Sequence, residues 1–105
     1  MSKEIQSVEE FDALLAQGGK IVVDFFATWC GPCKMMGRVI EDVQNDYPDV
    51  NFVKVDVDQL PSIAQRYGVY SIPQINIFAN GVEVNKLIGS RPQSAFKEEL
   101  DKAFN

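Results

Sequence analysis

At 105 residues, 46% hydrophobic and 24% charged, the chain has the size of one domain spanning 1–105, and it can bury a core without disulfide staples. A formal net charge of −5, with no Lys/Arg cluster, argues against nucleic acid or anionic membranes as partners. No run approaches the roughly 18 apolar residues that span a bilayer, and Met1-Ser2-Lys3-Glu4-Ile5-Gln6 has no apolar leader region, so a cytoplasmic location is expected.

In chain order, Ser7-Val8-Glu9-Glu10 is a capping-box pattern that predicts a helix start, with Val8, Phe11, Leu14 and Leu15 forming its apolar face. After Gly18-Gly19, the β-branched and aromatic run Ile21–Ala27 predicts a buried strand, interrupted by Asp24. A buried carboxylate is costly unless paired or protonated, so the residues alone slightly favour an Asp facing solvent at the strand edge.

Trp29-Cys30-Gly31-Pro32-Cys33-Lys34 holds both cysteines of the chain, separated only by Gly31 and Pro32. As a staple, so tight a ring stabilises by only about 2 kcal/mol, the least of any common loop. A closed structural zinc site needs about four Cys or His ligands, and the chain has two Cys and no His. Between a strand-like run and a helical pattern, the spacing reads as a redox dithiol, ahead of staple, metal site or chance.

The helix that follows is predicted from Pro32, suited to a first turn, and from Met36, Val39, Ile40, Val43 and Tyr47 on one face of Lys34–Tyr47. Cys30 then stands at the positive end of the helix, where unsatisfied N–H groups favour a thiolate. Its thiol pKa should be depressed and the sulfur accessible, with Cys33 nearer the interior and placed to attack once Cys30 is captured.

Tyr47-Pro48-Asp49 predicts a turn, Asn51–Val57 a strand, and Leu60–Tyr67 a short helix ended by Gly68. Gln74–Ala79 and Val82–Ile88 flank Asn80-Gly81, a strong hairpin signal. Pro92–Phe104 closes as a helix with Phe96, Leu100 and Phe104 aligned. The fold class is α/β, a central mixed sheet covered by helices on both faces. Repeats, linkers and low-complexity segments are absent from the sequence. On the residues alone, Lys54 is a solvated strand lysine, Pro73 a strand-start proline with a trans bond, and Gly89 a turn glycine. Core packing of Trp29 is nearly as expected as substrate contact.

Ala27-Thr28-Trp29-Cys30-Gly31-Pro32-Cys33-Lys34 resembles the active-site signature of the thioredoxin family. The likeness continues through Val22-Val23-Asp24-Phe25, Phe52-Val53-Lys54-Val55-Asp56, Tyr67-Gly68, Ile72-Pro73, Asn80-Gly81 and Gly89. It implies a thioredoxin fold and a thiol–disulfide oxidoreductase that reduces protein disulfides through a Cys30/Cys33 cycle. It also reverses two readings. Asp24 matches the family's buried acid beneath the second cysteine, raised in pKa and able to relay a proton for Cys33, with Lys54 as its basic partner. Pro73 matches a cis proline facing the dithiol, which leaves Ile72 free to pair with an extended substrate segment. Trp29, Gly31, Pro32, Tyr70 and Gly89 would complete the surface around Cys30.

The resemblance further implies no bound cofactor or metal, electrons from NADPH through a flavin-containing thioredoxin reductase, and protein disulfides as substrates. A monomer is expected. The rivals are an oxidase or isomerase of an oxidising compartment, and a binding module whose dithiol gates docking. Three departures stand out. Gly37-Arg38 replaces the proline that kinks the family's active-site helix, Gln74 replaces a common Thr, and Tyr70-Ser71 alters the recognition loop.

Overall fold

The computed structural model describes residues 2–105. In chain order the elements are β1 (Lys3–Glu4), α1 (Val8–Gln17), β2 (Lys20–Phe26), α2 (Gly31–Val43), a 3-10 turn (Gln44–Asp46), β3 (Val50–Asp56), α3 (Pro61–Arg66), β4 (Gln74–Ala79), β5 (Val82–Ile88) and α4 (Gln93–Phe104). The strands form one sheet in the order β1-β3-β2-β4-β5. β3 runs parallel to β1 and β2, whereas β4 runs antiparallel to β2 and β5, so the sheet is mixed as expected.

Alternation along the strands divides the core in two. On one face Val22, Phe52, Ile75, Ile77 and Leu87 pack with Met36, Ile40 and Val43 of α2 and Phe96 and Leu100 of α4. On the other, Ile21, Val23, Phe25, Val53, Val55 and Phe78 pack with Phe11 of α1 and Ile63 of α3. Tyr67 closes this second face, edge-on to Phe11 and Phe78.

Local signals explain most boundaries. Ser7 Oγ accepts the Glu10 N–H at 3.0 Å, one half of the expected capping box, but the Glu10 carboxylate reaches back to the Gln6 N–H at 2.6 Å rather than to that of Ser7. Asn80 and Gly81 both adopt positive φ, as a two-residue hairpin requires. Asn80 also ties the hairpin to the start of β2, since its Oδ1 accepts the Gly19 N–H and its N–H donates to the Gly19 carbonyl.

Other features depart from the sequence reading. α2 begins at Gly31 and yields to the 3-10 turn after Val43, ahead of Tyr47. β1 was not foreseen, because two residues carry no periodicity. Gln74 and Asn76 are fully buried, since β4 lies inside the sheet and both its faces are covered. Gln74 donates to the Tyr67 carbonyl and to Asn76 Oδ1, and Asn76 donates in turn to Glu83. Among the described residues, no helix is long and apolar enough to cross a membrane.

Candidate functional site

The dithiol lies where central β2 hands the chain to α2. Cys30 is the N-cap of α2, with extended backbone (φ −92°, ψ 111°), and its Sγ accepts the Cys33 N–H at 3.1 Å. A sulfur thus fills the place usually taken by a capping hydroxyl or carboxylate, and it meets the positive end of the helix dipole. Pro32 occupies the first turn, where its missing N–H leaves no bond unmade. Cys30 and Cys33 are joined as a disulfide with Cα atoms 5.3 Å apart, and no free cysteine remains.

In this oxidised form the expected contrast between an accessible Cys30 and a buried Cys33 is absent, for they are 5% and 4% exposed. Both pack with Ala27 against Phe26, Val57 and Ile72. What separates the two sulfurs is polarity: the helix-capping bond falls on Cys30 alone, whose Sγ also lies 3.9 Å from the Ile72 carbonyl oxygen. That carbonyl precedes Pro73, and the Ile72–Pro73 peptide is cis, not trans as the residues alone suggested. Gly89, at positive φ, donates its N–H to the Pro73 carbonyl at 2.8 Å and so joins the β5 end to this loop.

Trp29 is 71% exposed, so the core-packing reading fails for it, and Tyr70 is 97% exposed. The indole N–H of Trp29 donates to Asp58 at 2.9 Å, and Asp58 is held by its own N–H to the buried Asp56 carboxylate. Gly31, Trp29 and Tyr70 therefore stand at the surface, the first two as chain neighbours of the nearly buried Cys30.

Asp24 does not face solvent as the residues alone favoured; it is 5% exposed, paired in register with Lys54 on β3 and Ile75 on β4. Its Oδ1 has no hydrogen-bond partner in the protein. Burial pushes its pKa up to about 7, and the Lys54 cation opposes that rise only in part. Lys54 Nζ sits 5.3 Å over the Phe26 ring. Asp24, Lys54 and Cys33 line one cavity beneath α2. Among the described residues no group of three or more His, Cys, Asp or Glu could hold a metal.

Sequence reasoning missed Asp58, which orients Trp29 from a loop 29 residues away, and Asp56 at the end of β3, which holds Asp58; no local pattern could flag them. It also missed the buried Gln74–Asn76 pair.

A family model described as thioredoxin matches residues 2–102. The chain belongs to the thioredoxin family. Thioredoxin-1 of Saccharomyces cerevisiae is 43% identical over 95% of this chain and 96% of that protein. Among solved structures, a Plasmodium falciparum thioredoxin superposes with a TM-score of 0.89 at 36% identity, covering 95% of this chain and 97% of the other. A structure concerned with the thiol-resolving mechanism of a yeast mitochondrial 1-Cys peroxiredoxin via glutathione/thioredoxin systems is similar at TM-score 0.87 and 39% identity, covering 95% and 94%. The thioredoxin fold expected from the sequence is thus the observed one. The chain is a thiol–disulfide oxidoreductase whose redox-active centre is a disulfide rather than a bound cofactor, and the general role of thioredoxins is cell redox homeostasis. Membership implies disulfide substrates and a reductase partner.

Proposed function

We propose that this thioredoxin reduces protein disulfides in two exchanges in which Cys30 attacks and Cys33 resolves. The Cys30 thiolate attacks one sulfur of the substrate disulfide, forming a mixed disulfide and releasing the first substrate thiolate. Cys33 then loses its proton to Asp24 and attacks the Cys30 sulfur, releasing the second. The substrate gains two electrons and the Cys30–Cys33 disulfide is left behind. Lys54 keeps Asp24 able to ionise despite its burial. A flavin-containing thioredoxin reductase using NADPH would return the pair to the dithiol, which makes the chain a carrier in electron transport.

Docking falls to the exposed aromatic rings of Trp29 and Tyr70, to Gly31 and Pro32, and to the Ile72–Pro73 and Gly89 backbone, beside which an extended substrate segment can pair. Oxidised peroxiredoxin-type proteins are candidate substrates, and a cytoplasmic monomer is the expected setting.

The observation that carries the order of attack is the bond from the Cys33 N–H to Cys30 Sγ at the start of α2, because it stabilises negative charge on Cys30 alone. Cys33→Ser should therefore accumulate a stable mixed disulfide with an oxidised protein substrate, and Cys30→Ser should not. Mass spectrometry under non-reducing conditions reads both, and trapping through Cys33 instead would reverse the assignment.

A further inference from the structure

Gln74 follows the cis Pro73 directly, is fully buried, and stands opposite Phe25 in the sheet. Its amide group has two protons and both are used, one on the Tyr67 carbonyl at 3.2 Å and the other on Asn76 Oδ1 at 2.9 Å. Asn76, equally buried, donates to Glu83 Oε1 at 2.7 Å. The row ends in a carbonyl on one side and a carboxylate on the other, which only accept, so neither carboxamide can turn over without losing a bond. Gln74 Oε1 is left buried with no partner in the protein.

Such a row is a poor device for stability. A buried unpaired acceptor is unfavourable, and exchanging paired polar groups for apolar ones of the same shape is often neutral or better. What the row does hold is geometry. At the end of α3 the Gly68 N–H donates to the Gln65 carbonyl and the Val69 N–H to that of Ala64. The Tyr67 carbonyl, beyond the last helical residue, is met by Gln74. The Gln74 side chain thus bridges residues seven apart and closes the neck of the loop 68–73. That loop carries the exposed Tyr70 and the Ile72 carbonyl, which lies against Cys30 Sγ. At the far end of the row, a β-bulge at Ile77/Phe78 sets Glu83 opposite Phe78, on the face that Asn76 shares, and so aims the carboxylate at Asn76.

We propose that Gln74 is a positioning residue that holds the docking loop in one arrangement before a substrate arrives, with Asn76 and Glu83 fixing the direction of its amide. Ordering of the loop is then no longer part of each docking event, and the gain is confined to substrates large enough to touch the loop. This rests on docking at Tyr70 and Ile72–Pro73.

The test is the double variant Gln74→Leu/Asn76→Leu, which removes the row and leaves no amide unpaired. With the disulfides of insulin as protein substrate, KM should rise on the order of tenfold while kcat holds, and the reaction with a small alkyl disulfide should not change. Amide hydrogen exchange should quicken in residues 68–72 and stay slow in β2 and β4. Glu83 is exposed and lies roughly 13 Å along the sheet from Gln74. Glu83→Ala should raise the insulin KM by a smaller factor, and Glu83→Gln, which keeps an acceptor, should restore it. An unchanged insulin KM in the double variant, or equal losses on both substrates, would overturn the assignment; where the double variant does not fold, a parental KM in Glu83→Ala does so. Tyr70→Ala separates the two layers. If it raises the insulin KM and the double variant does not, only the role of Gln74 is wrong, whereas no effect from either removes the docking site itself.

Discussion

Asp24→Asn should stabilise the oxidised protein, and by an amount that depends on pH in one direction only. The carboxyl ionises at 3.8 in an unfolded chain and at about 7 in the fold, because burial penalises the charged form. A folded pKa above the unfolded one means that the native state holds the proton more tightly. The contribution of Asp24 is therefore fully present below pH 3.8, falls as pH rises between 3.8 and about 7, and stays low beyond. At 1.36 kcal/mol per pH unit, that window corresponds to about 4 kcal/mol lost by pH 8. Asn cannot ionise, so its protein should lack this slope. Urea titrations of both disulfide forms from pH 4 to pH 8.5 check it, because the difference between two proteins with the same surface isolates residue 24. Parallel stability curves across that range would refute the reasoning and return Asp24 to a solvated carboxylate.

Three further outcomes follow. Trp29→Ala and Tyr70→Ala remove rings that are 71% and 97% exposed, so they should raise the KM for a protein disulfide several-fold and leave the reaction with a small disulfide unchanged, as steady-state kinetics on both substrates would show. Gly37→Ala should gain up to about 1 kcal/mol in a denaturant titration, since its Cβ meets nothing within 4 Å and only helix propensity changes. The Tyr47 hydroxyl donates to Asp101 at 2.6 Å, and burial together with that carboxylate pushes its pKa up to about 12. Ultraviolet titration should place the Tyr47 phenolate well above the ordinary phenol range, and Tyr47→Phe should cost about 1 kcal/mol.

The sheet and its helices were legible because their signals are local. Alternation around Asn80-Gly81 placed β4 and β5 at Gln74–Ala79 and Val82–Ile88, the bounds the structure has. The dithiol too was legible, from spacing alone. What failed was whatever depends on a partner distant in sequence. Asp24 and Lys54 are neighbours only through the β2–β3 register, so their residues alone suggested two solvated side chains. Gln74 and Asn76 are dry because β4 is interior, a position in the sheet that the strand's own residues do not reveal. Trp29 read nearly as readily as core packing as substrate contact, because the Asp58 carboxylate that holds its indole at the surface lies on another loop.

The contact between Cys30 Sγ and the Ile72 carbonyl joins residues 42 positions apart, and β2 cannot gain its antiparallel neighbour until β4 exists. A chain made from its N-terminus therefore presents both cysteines to the surrounding medium well before their surroundings arrive. During that interval the pair has the spacing of a redox dithiol but neither its cis-proline loop nor the covered carboxyl beneath it. The oxidoreductase begins only when the second half of the sequence closes over the first.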